Sequence, residues 1–165
     1  MAHTYRTDHF LLRPVRLEDA QDLLACYSDP AAVALMNADH CTGDFFYTTL
    51  AQMQEEIAFW LSPSEARIYD RLTVLAQPQG RAVGTIEVCY GHGMLRIDLA
   101  AAWERADCLE ELLRLACERF YTDFHTRALV TKAIPAARAR RNALAAAGFV
   151  PMDEGAAPHL FTRPQ

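Results

Sequence analysis

Residues 93–120 read GMLRIDLAAAWERADCLEELLRLACERF, and two periods meet inside them. From Gly93 to Ala100, Leu95, Ile97 and Leu99 alternate with Arg96 and Asp98, the period-two pattern of a strand. From Leu109 onward, Leu109, Leu112, Leu113, Ala116 and Phe120 recur at helical spacing, which predicts an amphipathic helix reaching about Phe124. The junction holds no glycine. It sets Glu104, Asp107, Glu110 and Glu111 against Arg105. Asp107 with Glu110 resembles a capping box, and carboxylates at a helix start complement its dipole by about 0.3–1 kcal/mol each.

Upstream, Leu72–Gln77 and Ala82–Tyr90 read as strands joined by a turn at PQGR. Gly91-His92 then fits a tight turn into Gly93–Ala100. If the loop has only those two residues, Glu87 lies opposite Arg96 and Thr85 opposite Asp98. Further back, His9–Arg13 reads as a strand stopped by Pro14, and Glu18–Tyr27 as a helix. Asp29 with Pro30 behind it starts a second short helix over Ala31–Asn37. Ala38–Thr49 is irregular and carries Phe45, Phe46 and Tyr47. Thr49 caps a third helix whose stripe is Leu50, Met53, Ile57, Trp60 and Leu61. Downstream, Ala128–Ala133 is a strand, Pro135 starts and Gly148 ends an alanine-rich helix, and Phe149–Met152 and His159–Thr162 are short strands around the loop DEGAAP.

The 165 residues, with no shift in composition and no internal repeat, suit one domain over 1–165. A hydrophobic share of 52% and a charged share of 22% can build a core without metal or disulfides. Net charge of −5 and a pI near 5.6 argue against general affinity for nucleic acid or an anionic membrane. Lys132 is the only lysine. The five cysteines form no C-x-x-C pair, and the start has no apolar stretch of signal type, so a reducing, cytoplasmic setting without a metal site is expected.

The order of elements resembles the GNAT superfamily of acetyl-CoA-dependent N-acetyltransferases. LLRPVRLEDAQDLLACYSDP is similar to the opening of its branch containing the ribosomal-protein N-terminal acetyltransferases, GRAVGTIEV to that branch's central strand, and ALVTKAIPAARARRNALAAAGF to its late strand and helix. The resemblance spans most of residues 9–150 and implies an α/β fold: a mixed, mostly antiparallel twisted sheet of six or seven strands with helices on both faces. It implies acetyl-CoA as co-substrate and a primary amine of a small molecule or peptide as acceptor; a homodimer stays open. The alternative is a binding or regulatory module that has lost its coenzyme loop.

The family's coenzyme motif, R/Q-x-x-G-x-G/A, aligns with Glu104, Asp107 and Leu109. A carboxylate about 5 Å from a phosphate charge costs roughly 3 kcal/mol at an effective dielectric of 20. The same carboxylates also read as plain helix-start residues. On the late helix, Ala137 and Arg140 stand where the family often has Asn and Ser, with Arg138 and Arg141 nearby. Arg140 shares the inner stripe with Ala143 and Leu144, so it takes either the coenzyme or an internal carboxylate as partner. Cofactor candidates are therefore Arg105, Arg138, Arg140 and the Leu99, Ala100 and Ala101 backbone, which would polarise the thioester carbonyl. Glu87 and Asp98 occupy the region of the family's base, Asp98 the freer of the two. His92, between glycines, reads as solvated. No tyrosine follows Tyr121 to serve as the usual thiol-protonating acid. Phe45, Phe46 and Tyr47 lie where the family forms part of its acceptor pocket, or they are core.

Overall fold

The computed structural model describes residues 3–36, 45–152 and 159–165, with backbone only at Arg67. The N-terminal strands are β1 (Tyr5–Arg6), β2 (Phe10–Pro14), β3 (Tyr69–Ala76), β4 (Arg81–Cys89) and β5 (Leu95–Leu99), and they form one antiparallel sheet in that order. β6 (Ala128–Lys132), β7 (Val150–Pro151) and β8 (Leu160–Pro164) form a second sheet in the order β6-β8-β7. The two are joined by a parallel bridge between Met94 and Val130. Beyond it β5 and β6 share no ladder, so the strands part.

The tight-turn register holds. Glu87 pairs with Arg96 and Thr85 with Asp98. β3 starts at Tyr69, three residues before the apolar run, because Asp70 and Arg71 interrupt the hydrophobic signal while the backbone still pairs with β4.

Helices cover both faces. α1 (Ala20–Tyr27), α2 (Pro30–Val33) and α3 (Leu50–Trp60) pack through Leu23, Tyr27, Ala32, Met53, Ile57 and Trp60. Asp29 and Thr49 cap α2 and α3 as expected. Leu50 and Leu61, expected on the buried stripe of α3, are 37% and 48% exposed: they lie at the helix ends, beyond the reach of the core. On the opposite face, α4 (Ala106–Asp123) and α5 (Arg138–Ala146) cover Leu72, Val74, Ile86 and Ile97 with Leu109, Leu112, Phe120 and Leu144. α5 begins three residues after Pro135. Residues 134–137 close a turn first, with the Ala137 N–H on the Ile134 carbonyl. Asn37 and most of the segment up to Phe45, and the loop DEGAAP, lie outside the described residues.

Gly93 stands where the sheets join. Its φ is +66° and its carbonyl accepts the Val130 N–H at 2.9 Å. A Cβ there would lie 1.8 Å from the Ala128 carbonyl oxygen, whereas at Gly91, also left-handed, it would meet nothing within 4 Å. Gly93→Ala is therefore expected to destabilise the protein by more than about 3 kcal/mol and Gly91→Ala by about 1 kcal/mol, as read from urea unfolding. Equal effects would show that the junction is not sterically fixed.

Candidate active site

β5 presents three surfaces. Leu95, Ile97 and Leu99 turn into the core beneath α4. Arg96 and Asp98 turn toward α1 and α3, and both are buried too. The third surface is the edge. The Ala100 N–H donates to the Val83 carbonyl at 2.8 Å, so by antiparallel alternation Ile97 and Leu99 aim their N–H and C=O groups away from β4 and into the space where β6 has parted. Of the three residues expected to offer a polarising amide, Ala100 is thus already spent within the sheet. Leu99 retains its N–H for the cleft, with Ala101 just beyond it.

The polar face of β5 belongs to a buried network. Arg71 of β3 pairs with Glu87, and its Nη1 lies 3.6 Å from the Asp98 carboxylate. Its guanidinium stacks on Trp60, 4.0 Å from the ring centroid. Arg96 Nη1 lies 3.4 Å from Glu87. The Tyr27 hydroxyl donates to Asp98 at 2.9 Å and lies 2.8 Å from the Thr85 hydroxyl. Glu87 is therefore held between two arginines. Asp98 is not the freer carboxylate expected from the sequence: it is 1% exposed and tied to Tyr27 and Arg71. Its Oδ1 nevertheless has no hydrogen-bond partner among the described residues. Burial pushes the Asp98 carboxyl above the usual carboxylate range, against the opposing pull of Arg71 and Tyr27. Burial, reinforced by the Asp98 charge, pushes the Tyr27 phenol well up, so it stays a donor.

The aromatic segment divides. Phe45 is buried, with the Arg96 guanidinium 5.8 Å from its ring. Tyr47 packs on Tyr27 with centroids 5.9 Å apart. Phe46 is 43% exposed. Phe45 is thus core above the network, and Phe46 is the member left at the surface.

At the mouth of the cleft, α4 starts at Ala106 with Arg105 in the N-cap position. The expected capping box is absent. Asp107 falls in the first turn, where Arg105 Nε and Nη2 donate to its carboxylate at 3.1 and 2.9 Å. That pair holds the Asp107 carboxyl at about 2. Leu109, aligned with the last position of the coenzyme motif, is fully buried inside α4, so the loop proper is 100–105. Arg140 makes the internal pairing: its Nε and Nη2 donate to Glu104 at 2.7 and 2.8 Å, and Nη2 also reaches the Ile97 carbonyl at 2.6 Å. Arg138 is exposed, and Arg141 donates to the Ala133 carbonyl at 3.1 Å. His92 is exposed in its turn. Among the described residues no three His, Cys, Asp or Glu side chains stand together as a metal site, and no helix is long and apolar enough to cross a membrane.

Sequence reasoning missed Arg71 and Tyr27. The signal was available in Arg71, a charged residue facing the same side as Thr73 and Thr85 in a strand otherwise bound for the core.

A sheet that splits beside a helix start, next to a buried network of ion pairs, defines an α/β domain with an open strand edge at its centre. The chain belongs to the GNAT acetyltransferase family: the acetyltransferase (GNAT) domain matches residues 9–150. Solved structures with the same fold include a ribosomal-protein-S5-alanine acetyltransferase from Vibrio fischeri, with 12% identity and a TM-score of 0.75, covering 98% of this chain and 96% of that one. RimJ of Mycobacterium smegmatis, in complex with CoA-disulfide, shows 14% identity and a TM-score of 0.77 over 99% and 86% of the two chains. A GNAT-family acetyltransferase from Bacillus anthracis shows 10% and 0.75 over 98% of both. No curated protein matches the chain.

Arg71→Met leaves Glu87 and Asp98 with too little positive charge, and is expected to cost about 3–5 kcal/mol in urea unfolding. A single variant costing under about 1 kcal/mol would contradict the network's role.

Proposed function

We propose that this chain, acting as one domain, is an N-acetyltransferase that moves an acetyl group from acetyl-CoA to a primary amine of a small molecule or peptide. The observation that carries the reading is the parting of β5 from β6 beyond Met94 and Val130, with the Ile97 and Leu99 backbone turned into the gap beside the start of α4. The relatives support it. One is named for acetylating a ribosomal protein and another holds a CoA disulfide.

The charge objection to coenzyme binding weakens once the partners are counted. Glu104 is paired with Arg140 and Asp107 with Arg105, so neither carboxylate at the positions aligned with the coenzyme motif stands bare before a diphosphate. The Leu99 amide, the first-turn amides of α4 and the exposed Arg138 are the groups suited to hold the coenzyme, and Arg105 joins them on releasing Asp107. Acetyl-CoA supplies the acetyl group as a thioester, whose C–S bond is exchanged for a C–N bond to the neutral amine; the amine gives up one proton to the general base, and the sulfur leaves as a thiolate that recovers that proton from the base through water. The Leu99 N–H polarises the carbonyl. Asp98 receives the proton at Oδ1, directly or through one water, while Tyr27 and Arg71 fix its other oxygen. Glu87 acts by holding Arg71 and Arg96 in place. Phe46, with Tyr47 behind it, contributes to the acceptor side.

A second reading, a non-catalytic GNAT-fold binding or regulatory module, draws on the pairing of Glu104 and Asp107 with arginines. Thermal unfolding separates the two. Acetyl-CoA at about a hundredfold its Kd adds about 2.7 kcal/mol, which in a domain of this size raises Tm by roughly 5–10 °C. No shift at millimolar acetyl-CoA would contradict the enzyme reading. With a working assay, kcat/KM falls with decreasing pH through a value above the ordinary Asp range near 4, because the base acts only when ionised and burial raises its pKa. Asp98→Asn is expected to remove that limb and lower kcat/KM by about 10²-fold or more. An unchanged profile would assign the base elsewhere.

A further inference from the structure

The Glu104–Arg140 pair spans the cleft. Arg140 projects from α5, beyond β6, while Glu104 ends the loop that follows β5; the forked bonds at 2.7 and 2.8 Å tie one wall to the other. Both side chains are withdrawn from solvent, at 4% and 7% exposure. The third bond matters most. Arg140 Nη2 sits on the Ile97 carbonyl at 2.6 Å, and that carbonyl is one of the backbone groups that parting strands leave available at the β5 edge.

An extended arm bearing amides, as in coenzyme A, binds a free strand edge by taking up such carbonyl and N–H groups. Here a side chain of the protein already has one of them. The same guanidinium is also unavailable to a diphosphate while Glu104 cancels its charge. A protein whose binding-competent state is only a fraction of the population binds more weakly by that fraction.

We propose that Glu104 and Arg140 form a clasp that sets the affinity of the cleft for acyl-CoA, entry requiring Arg140 to leave the Ile97 carbonyl. The inference rests on the acetyltransferase reading above. Neither residue touches the reacting atoms in this scheme. Both act through the closed position of the loop.

The double variant Glu104→Gln/Arg140→Met decides it, because it removes the clasp without changing net charge or leaving a buried ion alone. Acetyl-CoA binding is measured by calorimetry at one fixed ionic strength, with cooperative thermal unfolding confirmed first. The clasp predicts at least fivefold tighter binding than wild type. Unchanged affinity would overturn it and make the pair a purely structural brace. Weaker affinity would also overturn it and make Arg140 a direct ligand of the coenzyme. If the double variant does not unfold cooperatively, Arg140→Lys carries the same test, since an ammonium keeps the charge but cannot hold the Glu104 fork and the Ile97 carbonyl together; tighter binding supports the clasp, and equal or weaker binding refutes it. Wild type binding normally with no gain in either variant sinks the clasp alone. Absence of binding in wild type and variants sinks the acetyltransferase reading and the clasp with it.

Discussion

The buried pairing of Arg71 with Glu87 is the constraint from which much of this structure follows. A sheet face covered by helices is normally apolar, since an unpaired ion there costs several kcal/mol. This face instead carries Arg71, Thr73, Thr85, Glu87, Arg96 and Asp98, all buried. Two arginines against two carboxylates keep it balanced, but only while β3, β4 and β5 hold their register. Tyr27 from α1 and Trp60 from α3 then close over the arginine, which fixes both helices to the same charges. A second ion pair anchors the start of α1. Asp19 accepts from Arg13 at 2.6 and 2.8 Å and from Thr73 at 2.6 Å. Burial alone would raise the Asp19 carboxyl, yet these bonds outweigh it and hold the group below its ordinary range.

The site inherits its geometry from that balance. β5 is buried on both faces, so the freedom left to it is along its edge, and the edge opens because Gly93 and the Met94–Val130 bridge hold β6 close at one end only. Asp98 lies between Ile97 and Leu99, whose backbone faces this opening, in the same register that pairs Glu87 with Arg96. The base proposed above is thus the leftover oxygen of a carboxylate whose main partners are structural.

Much of the architecture was legible in the sequence. The alternation of Leu95, Ile97 and Leu99 and the Gly91-His92 turn led to the correct register, and the order of elements, with the three stretches resembling the GNAT superfamily, led to the fold. Local period reports which face a residue occupies, but not what lies above it. Hence Asp98 read as the freer carboxylate, although Tyr27, seventy-one residues earlier, bonds to it. Arg140 was correctly placed on the inner face of its helix, with its choice between ligand and carboxylate open. Glu104 as its partner depended on loop geometry that no spacing encodes. The start of α4 was misread because Arg105, a poor capping residue by propensity, takes the N-cap position while its side chain engages Asp107.

Backbone amide exchange, followed residue by residue with and without acetyl-CoA, tests the central claim that the coenzyme occupies the gap between β5 and β6. The amides of Leu99, Ala106, Asp107 and Cys108 are expected to become protected on binding, while those of β1 and β2 do not change. Protection confined to another surface, or none at coenzyme concentrations that saturate binding, would contradict it.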